Sequence, residues 1–294
     1  MSGLDGLLDV MAAARLPPPV PLVVDGKPHR FYVDGDRRGS KNGWYWIRDG
    51  RFPSATFGSW RTGEHHRWSA FEDGQSPMGD SDREALRIER DRRRAEERAE
   101  EHEQQQRAAR RAGEIWMACA DPDPEHPYLI AKSVAAHGLR QYRDLLVVPL
   151  RDVRGRIWSL QFVSPTGEKR FLRGGRVRAL FHAIGRATPR TWLVEGYATG
   201  VSVHERFGER VCCAMNAGNL LPAGRAIARI WSPPALAIMA DDDWRTTGNP
   251  GATKAREAAD ALGCDWYLPE FPAERPDWAT DFNDAAQLAR EVRS

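Results

Sequence analysis

Two short apolar segments, each running into acidic residues and each followed by a segment of helical character, constrain the fold of this chain most. The first segment is residues 192–194, which run into Glu195, and the second is residues 235–240, which run into the triple Asp241-Asp242-Asp243. Short aliphatic runs that alternate with helices are typical of buried parallel strands in an α/β fold. Because the carboxyl ends of parallel strands line one crevice, we expect the acids to converge there.

The acids at these strand ends have the chemistry of a metal site. Residues two apart on a strand share a face, so we expect Asp241 and Asp243 to be directed at one point and Asp242 away from it. Carboxylates at one point repel each other unless a cation neutralises them, and hard oxygen ligands select Mg²⁺ or Mn²⁺. The sequence therefore predicts a divalent cation held by Asp241, Asp243 and Glu195.

Four motifs follow one another between residues 195 and 284. They are Glu195-Gly196-Tyr197, the turn Asn216-Ala217-Gly218, the Asp241-Asp242-Asp243 run with Gly251 and Lys254 behind it, and Asp281-Phe282-Asn283-Asp284. Their order and spacing resemble the Toprim domain of the primase type, as in bacterial replicative primases and the primases of phages and plasmids.

This resemblance implies a DNA primase that makes short RNA primers on single-stranded DNA by two-metal nucleotidyl transfer. It implies Glu195, Asp241 and Asp243 as catalytic residues, with Asp281 and Asp284 as further metal ligands and Glu195 as either a ligand or the general base. Two features depart from the bacterial pattern. Thr199 stands where bacterial primases usually carry an acid, and the turn over residues 244–250 is longer, which favours a phage or plasmid branch.

Basic residues cluster ahead of this segment, around the pair Gly174-Gly175. They are Lys169, Arg170, Arg173, Arg176 and Arg178. Guanidinium groups beside glycine backbone suit phosphate binding, although basic residues of a surface loop are often only solvated. The segment is similar to the N-terminal half of a primase core, and the resemblance extends nucleotide or DNA contact to Lys132, Lys254, Asn216 and Gly218.

The N-terminal part of the chain has a different character. Residues 20–71 contain short β-type runs separated by turns, rich in aromatic residues such as Trp44, Trp46 and Trp60 and in basic ones. The aromatics either form the core of a small antiparallel sheet or stack on the bases of a single strand. This segment holds histidines but no cysteine, so we expect it to be free of zinc, although bacterial primases carry a zinc ribbon here.

These patterns predict an α/β protein in four parts. They are a small aromatic and basic β module over residues 1–75, a charged linker helix over 76–118, a basic α+β subdomain over 119–188 and a Rossmann-like, parallel-sheet Toprim domain over 189–294. The linker helix is expected to be exposed, because Leu86 and Ile88 alone interrupt its charged stretch. It is either a solvated spacer or a basic helix that contacts a nucleic-acid strand through the arginines of residues 90–94. In the third part we expect a helix over residues 126–132, a returning helix at 139–142 and a hairpin over 145–163.

Composition adds limits on partners and location. The formal net charge of the 294 residues is +2, so nucleic acid must be met by local basic patches. The sequence has no long apolar run or signal peptide, so we expect a cytoplasmic protein. The resemblance to primases implies the partners: a single-stranded DNA template, ribonucleoside triphosphates and a replicative helicase in trans. No helicase domain is expected within the chain. Two alternatives remain open: a Toprim nuclease and a catalytically silent single-strand-binding accessory protein.

Overall fold

The computed structural model describes residues 4–18, 20–37, 39–50, 53–70, 80–271 and 274–291. The chain divides into two compact units between Glu97 and Arg98, inside its longest helix. In the parts of the chain just given, none of the helices combines the length and the apolar character that a bilayer span needs.

The first unit is a helix packed on a four-stranded antiparallel meander. Helix α1 covers Asp5–Ala13, and the strands are β1 (Pro28–Phe31), β2 (Gly43–Arg48), β3 (Ser54–Ser59) and β4 (His65–Ser69), in the order β1-β2-β3-β4. Alternate residues of the strands, including Tyr45, Ile47 and Phe57, are buried together with Leu7 and Met11 of α1. The aromatics therefore build a core on one face, which is one of the two roles expected for them.

Helix α2 covers Asp80–Ala118. Its charged first part is exposed, as the sequence predicted, because it carries ion pairs such as Arg92 with Glu96 rather than an apolar stripe. Its last turns differ from this expectation. The small side chains of Ala108, Ala109 and Ala112 are buried, so this end of the helix packs against the second unit's core.

After the last part of α2, the second unit continues with helix α3 (Pro127–Lys132) and a four-stranded antiparallel sheet. The sheet contains β5 (Arg140–Tyr142), β6 (Leu145–Arg151), β7 (Ile157–Val163) and β8 (Lys169–Phe171), in sequence order. The predicted helix and hairpin are present. The predicted returning helix at residues 139–142 was wrong, because this segment pairs with β6 and forms strand β5.

A five-stranded sheet follows, with strand order β13-β12-β10-β11-β9. The strands are β9 (His182–Ile184), β10 (Arg190–Val194), β11 (Arg210–Cys213), β12 (Ala235–Met239) and β13 (Asp265–Tyr267). The last four are parallel to each other, as the apolar runs predicted, and only β9 runs antiparallel to its neighbour β11.

Helices cover both faces of this parallel sheet. They are α4 (Tyr197–Phe207), α5 (Leu220–Ile230), α6 (Pro250–Leu262) and α7 (Phe282–Glu291). Val194 packs with α4 in one core, whereas its neighbour Leu193 packs with α5 and α6 in another. The order in which successive strands are added to the sheet thus reverses between β10 and β12, whose following helices lie on opposite faces. Such a switch point leaves an open crevice at the carboxyl ends of the two strands.

Candidate active site

The acids predicted from the sequence lie at this switch point. Glu195 directly follows β10, and Asp241 and Asp243 follow β12. The two strands are paired in parallel with Val194 opposite Met239, so their ends are level. Local sequence explains the arrangement, because the apolar strands must be buried and the first polar side chains occur where each strand leaves the core.

Asp241 is the most strongly perturbed of the acids. Burial raises the pKa of its carboxyl well above the ordinary value, and the nearby carboxylates of Asp281, Glu195 and Asp243 raise it further. Its Oδ1 atom is buried and has no hydrogen-bond partner. A buried carboxylate oxygen that lacks a donor and faces other carboxylates is a position that a cation would stabilise.

Glu195 and Asp243 are held by backbone N–H groups. Burial and the charge of Asp243 raise the pKa of Glu195, whereas a hydrogen bond from the Ala217 N–H lowers it. Asp243 Oδ2 accepts a hydrogen bond of 2.9 Å from the Gly251 N–H. Both donors belong to the turns that enter helical segments, so the sheet edge and the helix starts together orient these carboxylates.

Gly251 is required by close packing. A Cβ atom at this position would stand 2.7 Å from the Asp241 carbonyl oxygen and 2.9 Å from Asp243 Oδ2. Contacts of that length are too short for any side chain. The glycine therefore lets the start of α6 approach both acids.

The two acids of the motif at residues 281–284, Asp281 and Asp284, have different surroundings. Burial raises the pKa of Asp281, with Asp284 also raising it and a hydrogen bond from the Thr199 side chain lowering it. Asp284 instead accepts a hydrogen bond of 2.9 Å from the Thr280 N–H and pairs with Lys132 Nζ at 3.2 Å. The structure thus brings Asp281 into the acid cluster, whereas Asp284 is already neutralised by Lys132.

The Asp242 side chain does not join the acid cluster but pairs with Arg275, a residue that no sequence motif identified. The Arg275 guanidinium donates to the Asp242 carboxylate at 2.5 Å and to the Asp242 carbonyl at 2.9 Å. Asn249 Nδ2 donates to the same carboxylate at 2.6 Å. Arg275 lies in a proline-rich loop with no motif around it, so only the fold identifies it as the clamp of the acidic turn.

The predicted basic residues do not form one patch. Lys169 lies on the edge strand β8, and its charge lowers the pKa of Glu195, so it acts on the acid crevice. Arg170 is exposed and pairs with Glu168 at 2.8 Å, and Arg173 is exposed in the following turn. Arg176 lies 4.1 Å from the centre of the Trp158 ring and is half-buried, so it also serves packing.

A second group of basic residues lines a small cleft beside the crevice. Arg178, Arg225 and Lys254 surround a space of about 200 Å³, whose floor includes Ala217 and Gly218. Lys254 also pairs with Glu257 at 2.7 Å. Asn216 begins the short 3₁₀ turn at Ala217–Asn219. The lysine and the turn expected to contact nucleotide are therefore neighbours in space.

The family comparison decides what this sheet is. Residues 190–290 match the family model described as a Toprim domain. These residues form a Toprim domain. Glu195, Asp241 and Asp243 are thus the acids at the strand ends of a Toprim domain, and the predicted fold class is confirmed.

Relatives extend the similarity beyond the Toprim domain. Two DNA primase TraC proteins of Escherichia coli are 31% identical over 261 residues and 29% identical over 265 residues, which cover 85% and 86% of this chain. The chain spans only 24% and 18% of their lengths. The primase fragment of the bacteriophage T7 primase-helicase protein is 16% identical over 56% of this chain and 72% of its own, with a TM-score of 0.41.

The acids of the Toprim domain fit a divalent cation in part. The partnerless Asp241 Oδ1 and its oxygen-only neighbours suit Mg²⁺ or Mn²⁺. Within the described ranges, no three His, Cys, Asp or Glu side chains stand close enough to hold a metal ion by themselves. An ion here would take its remaining ligands from water and substrate phosphates, as is usual for Mg²⁺.

Proposed function

We propose that this chain is a DNA primase that synthesises short RNA primers on a single-stranded DNA template. The observation that carries the proposal is the buried, partnerless Asp241 Oδ1 among the acids of a Toprim domain, with Lys169 beside them. Similarity to two DNA primases over most of the chain supports primer synthesis over other Toprim chemistry. The template, the ribonucleoside triphosphates, the cytoplasmic location and a helicase partner in trans are parts of the same proposal.

The proposed reaction is nucleotidyl transfer. The 3′-hydroxyl oxygen attacks the α-phosphorus of a ribonucleoside triphosphate, the new P–O bond forms, and the bond to the β-phosphate breaks to release pyrophosphate. A bound divalent cation would supply charge neutralisation for the attacking and leaving oxygens. Asp241 and Asp243 would hold it, with Asp281 beside them. Asp284, neutralised by Lys132, is better suited to orient Asp281 than to bind metal.

The other residues of the crevice would hold the reactants. Glu195 either binds the cation or accepts the hydroxyl proton. Its hydrogen bond from the Ala217 N–H would hold the carboxylate in position for either role. Lys169 would neutralise the triphosphate, and this role is supported by its charge, which lowers the pKa of both Glu195 and Asp241. Arg178, Arg225 and Lys254 would meet phosphates in the adjoining cleft.

The test is primer synthesis by the purified chain. Single-stranded DNA, labelled ribonucleotides and Mg²⁺ or Mn²⁺ should give short RNA products, and Asp241→Asn should remove them. Asp260→Asn, which removes an exposed acid on the same domain, is the matched control and should leave synthesis intact. DNA cleavage in Mn²⁺ without nucleotides would indicate a nuclease instead. Binding of DNA with neither reaction, from a folded chain, would contradict the proposal.

A further inference from the structure

The sheet of the first unit has a second face, opposite its apolar core. Residues alternate along a strand, so the face away from Tyr45 and Ile47 carries Trp46 and Arg48 of β2. Strand pairing extends this face in two rows. One row is Arg48, Ser54 and Ser69, and the other is Trp46, Thr56 and Arg67. Hydroxyl and guanidinium groups, together with the Trp46 ring, therefore point outwards from this side of the sheet.

The first part of helix α2 faces the same side. Its residues Arg90, Arg93 and Arg94, together with Arg48 and Arg67 of the sheet, line a cleft of about 420 Å³, here called the arginine cleft. Helix and sheet belong to one compact unit. Among the described residues that line the cleft there are five arginines and no acid.

The arginine side chains of the cleft carry like charges and repel each other. Burial lowers the pKa of Arg48, and the positive charges of Arg93 and Arg90 lower it further. Arg93 also pairs with an acid outside the lining, Glu97, whose carboxylate is 3.4 Å from Arg93 Nε. Because the lining itself holds five guanidinium groups and no carboxylate, the like charges repel each other, and a bound anion would relieve this repulsion.

We propose that the arginine cleft binds the phosphate groups of a single-stranded nucleic acid. Guanidinium groups form paired hydrogen bonds to phosphate oxygens, and the hydroxyls of Ser54 and Thr56 on the cleft floor add donors. A nucleic-acid strand carries successive phosphates, so it fits a cleft with several arginines better than a ligand with a single carboxylate group would. Arg48 lies 3.9 Å from the centre of the Trp46 ring, which fixes the guanidinium in position.

This inference deepens the proposed function and rests on it only for the identity of the strand as DNA template or RNA product. The cleft itself lies outside the Toprim domain and holds none of its acids. Loss of strand binding and loss of synthesis can therefore be measured separately.

The experiment compares two double variants of the full chain. Arg48→Gln with Arg90→Gln removes two charges from the arginine cleft, whereas Arg87→Gln with Arg92→Gln removes two from the exposed side of α2, where they pair with Glu84 and Glu96. Binding of fluorescein-labelled oligo-dT and oligo-rU is followed by anisotropy at several salt concentrations. The cleft variant should bind about tenfold more weakly, with a salt slope lower by about 0.7 for each lost contact. The control should bind like the wild type.

Equal affinity and equal salt slope for the cleft variant and the wild type would overturn the inference, whether or not the wild type synthesises primers. Synthesis that fails in the wild type while its strand binding depends on the cleft would overturn only the proposed function. Arg90→Gln alone, on an exposed helical position, keeps the test valid if the half-buried Arg48 variant does not fold. Preference for oligo-dT or for oligo-rU would distinguish template from product, and either supports the cleft.

Discussion

The Thr199 side chain donates a hydrogen bond to the carboxylate of Asp281. Thr199 is 1% exposed and lies in the first turn of α4, directly behind the acid crevice. It stands where the resemblance to bacterial primases leads one to expect another acid. The hydroxyl lowers the pKa of Asp281, which burial and Asp284 raise, so it helps to keep this carboxylate ionised. The departure from the bacterial pattern therefore replaces a negative charge by a neutral donor.

Removing the Thr199 hydroxyl should weaken metal binding by the acid cluster. Thr199→Val keeps the shape but leaves Asp281 without its donor, and a hydrogen bond to a charged group contributes about 1.5–3 kcal/mol. We expect primer synthesis to require more Mg²⁺, and the pH at which activity rises to shift upwards. Thr199→Ser, which retains the hydroxyl, should behave like the wild type. A valine variant with an unchanged metal titration would show that Thr199 serves only packing.

Neutralising Asp241 should stabilise the metal-free protein. The folded-state pKa of Asp241 lies above its ordinary value of 3.8, so the wild type loses stability as the pH rises from there through the raised pKa. In EDTA, Asp241→Asn should therefore melt above the wild type at pH 8, by about 2–4 °C for each kcal/mol gained. The difference in melting temperature between the variant and the wild type should become smaller towards pH 4.

Thermal unfolding of Asp241→Asn, Asp260→Asn and the wild type measures this effect. Asp260 is exposed, so its variant should follow the wild type at every pH. Addition of Mg²⁺ should stabilise the wild type and leave Asp241→Asn unchanged. If Asp241→Asn melts below the wild type in EDTA at pH 8, the account of repelling carboxylates is wrong.

Two glycine-to-alanine changes in helices should have opposite consequences. In Gly251→Ala, the methyl group meets the Asp241 carbonyl and the Asp243 carboxylate, so both acids must shift and synthesis should fall at least tenfold. In Gly113→Ala, within the last turns of α2, a Cβ atom meets nothing within 4 Å. This control should gain about 0.5–1 kcal/mol of stability and keep full activity. Urea unfolding and primer assays on both variants test the contrast.

The exposed Trp60 ring should contribute to strand binding. It is 67% exposed, and its centre lies 5.6 Å from that of Trp44, which shares the outer face of the sheet with Trp46 and Arg48. Stacking of one base on an aromatic ring contributes about 1–3 kcal/mol, so Trp60→Ala should weaken oligo-dT binding by about 5- to 100-fold. Trp60→Phe should recover most of the affinity. Quenching of tryptophan fluorescence by oligo-dT should decrease in the alanine variant.

Much of the site could be predicted because its signals are local. Apolar strands that end in acids define both the sheet and its crevice, which is why Glu195, Asp241 and Asp243 lie where the strands predicted. The roles of Asp284 and Arg275 could not be predicted in this way. Asp284 pairs with Lys132, 152 positions away, and Arg275 clamps Asp242 from a loop without a motif.

Strand pairing was the part of the fold that the sequence predicted least well. Residues 139–142 are too few to show a period, and pairing with β6 decides that they form a strand rather than a helix. The arginine cleft has the same origin. The sequence showed the arginines of α2 and those of the sheet as separate clusters, and only the meander brings the two sets to one face.

Strand β9 has a practical consequence for anyone who wants to express the catalytic part separately. The family match begins at residue 190, but His182–Ile184 covers the outer edge of β11 by antiparallel pairing, with His182 opposite Cys213. A fragment cut at the family boundary would leave the backbone of β11 and its apolar neighbours uncovered, and such edges promote aggregation. Soluble expression of an active fragment should therefore require a start well before residue 182, ahead of the helix that supplies Lys132.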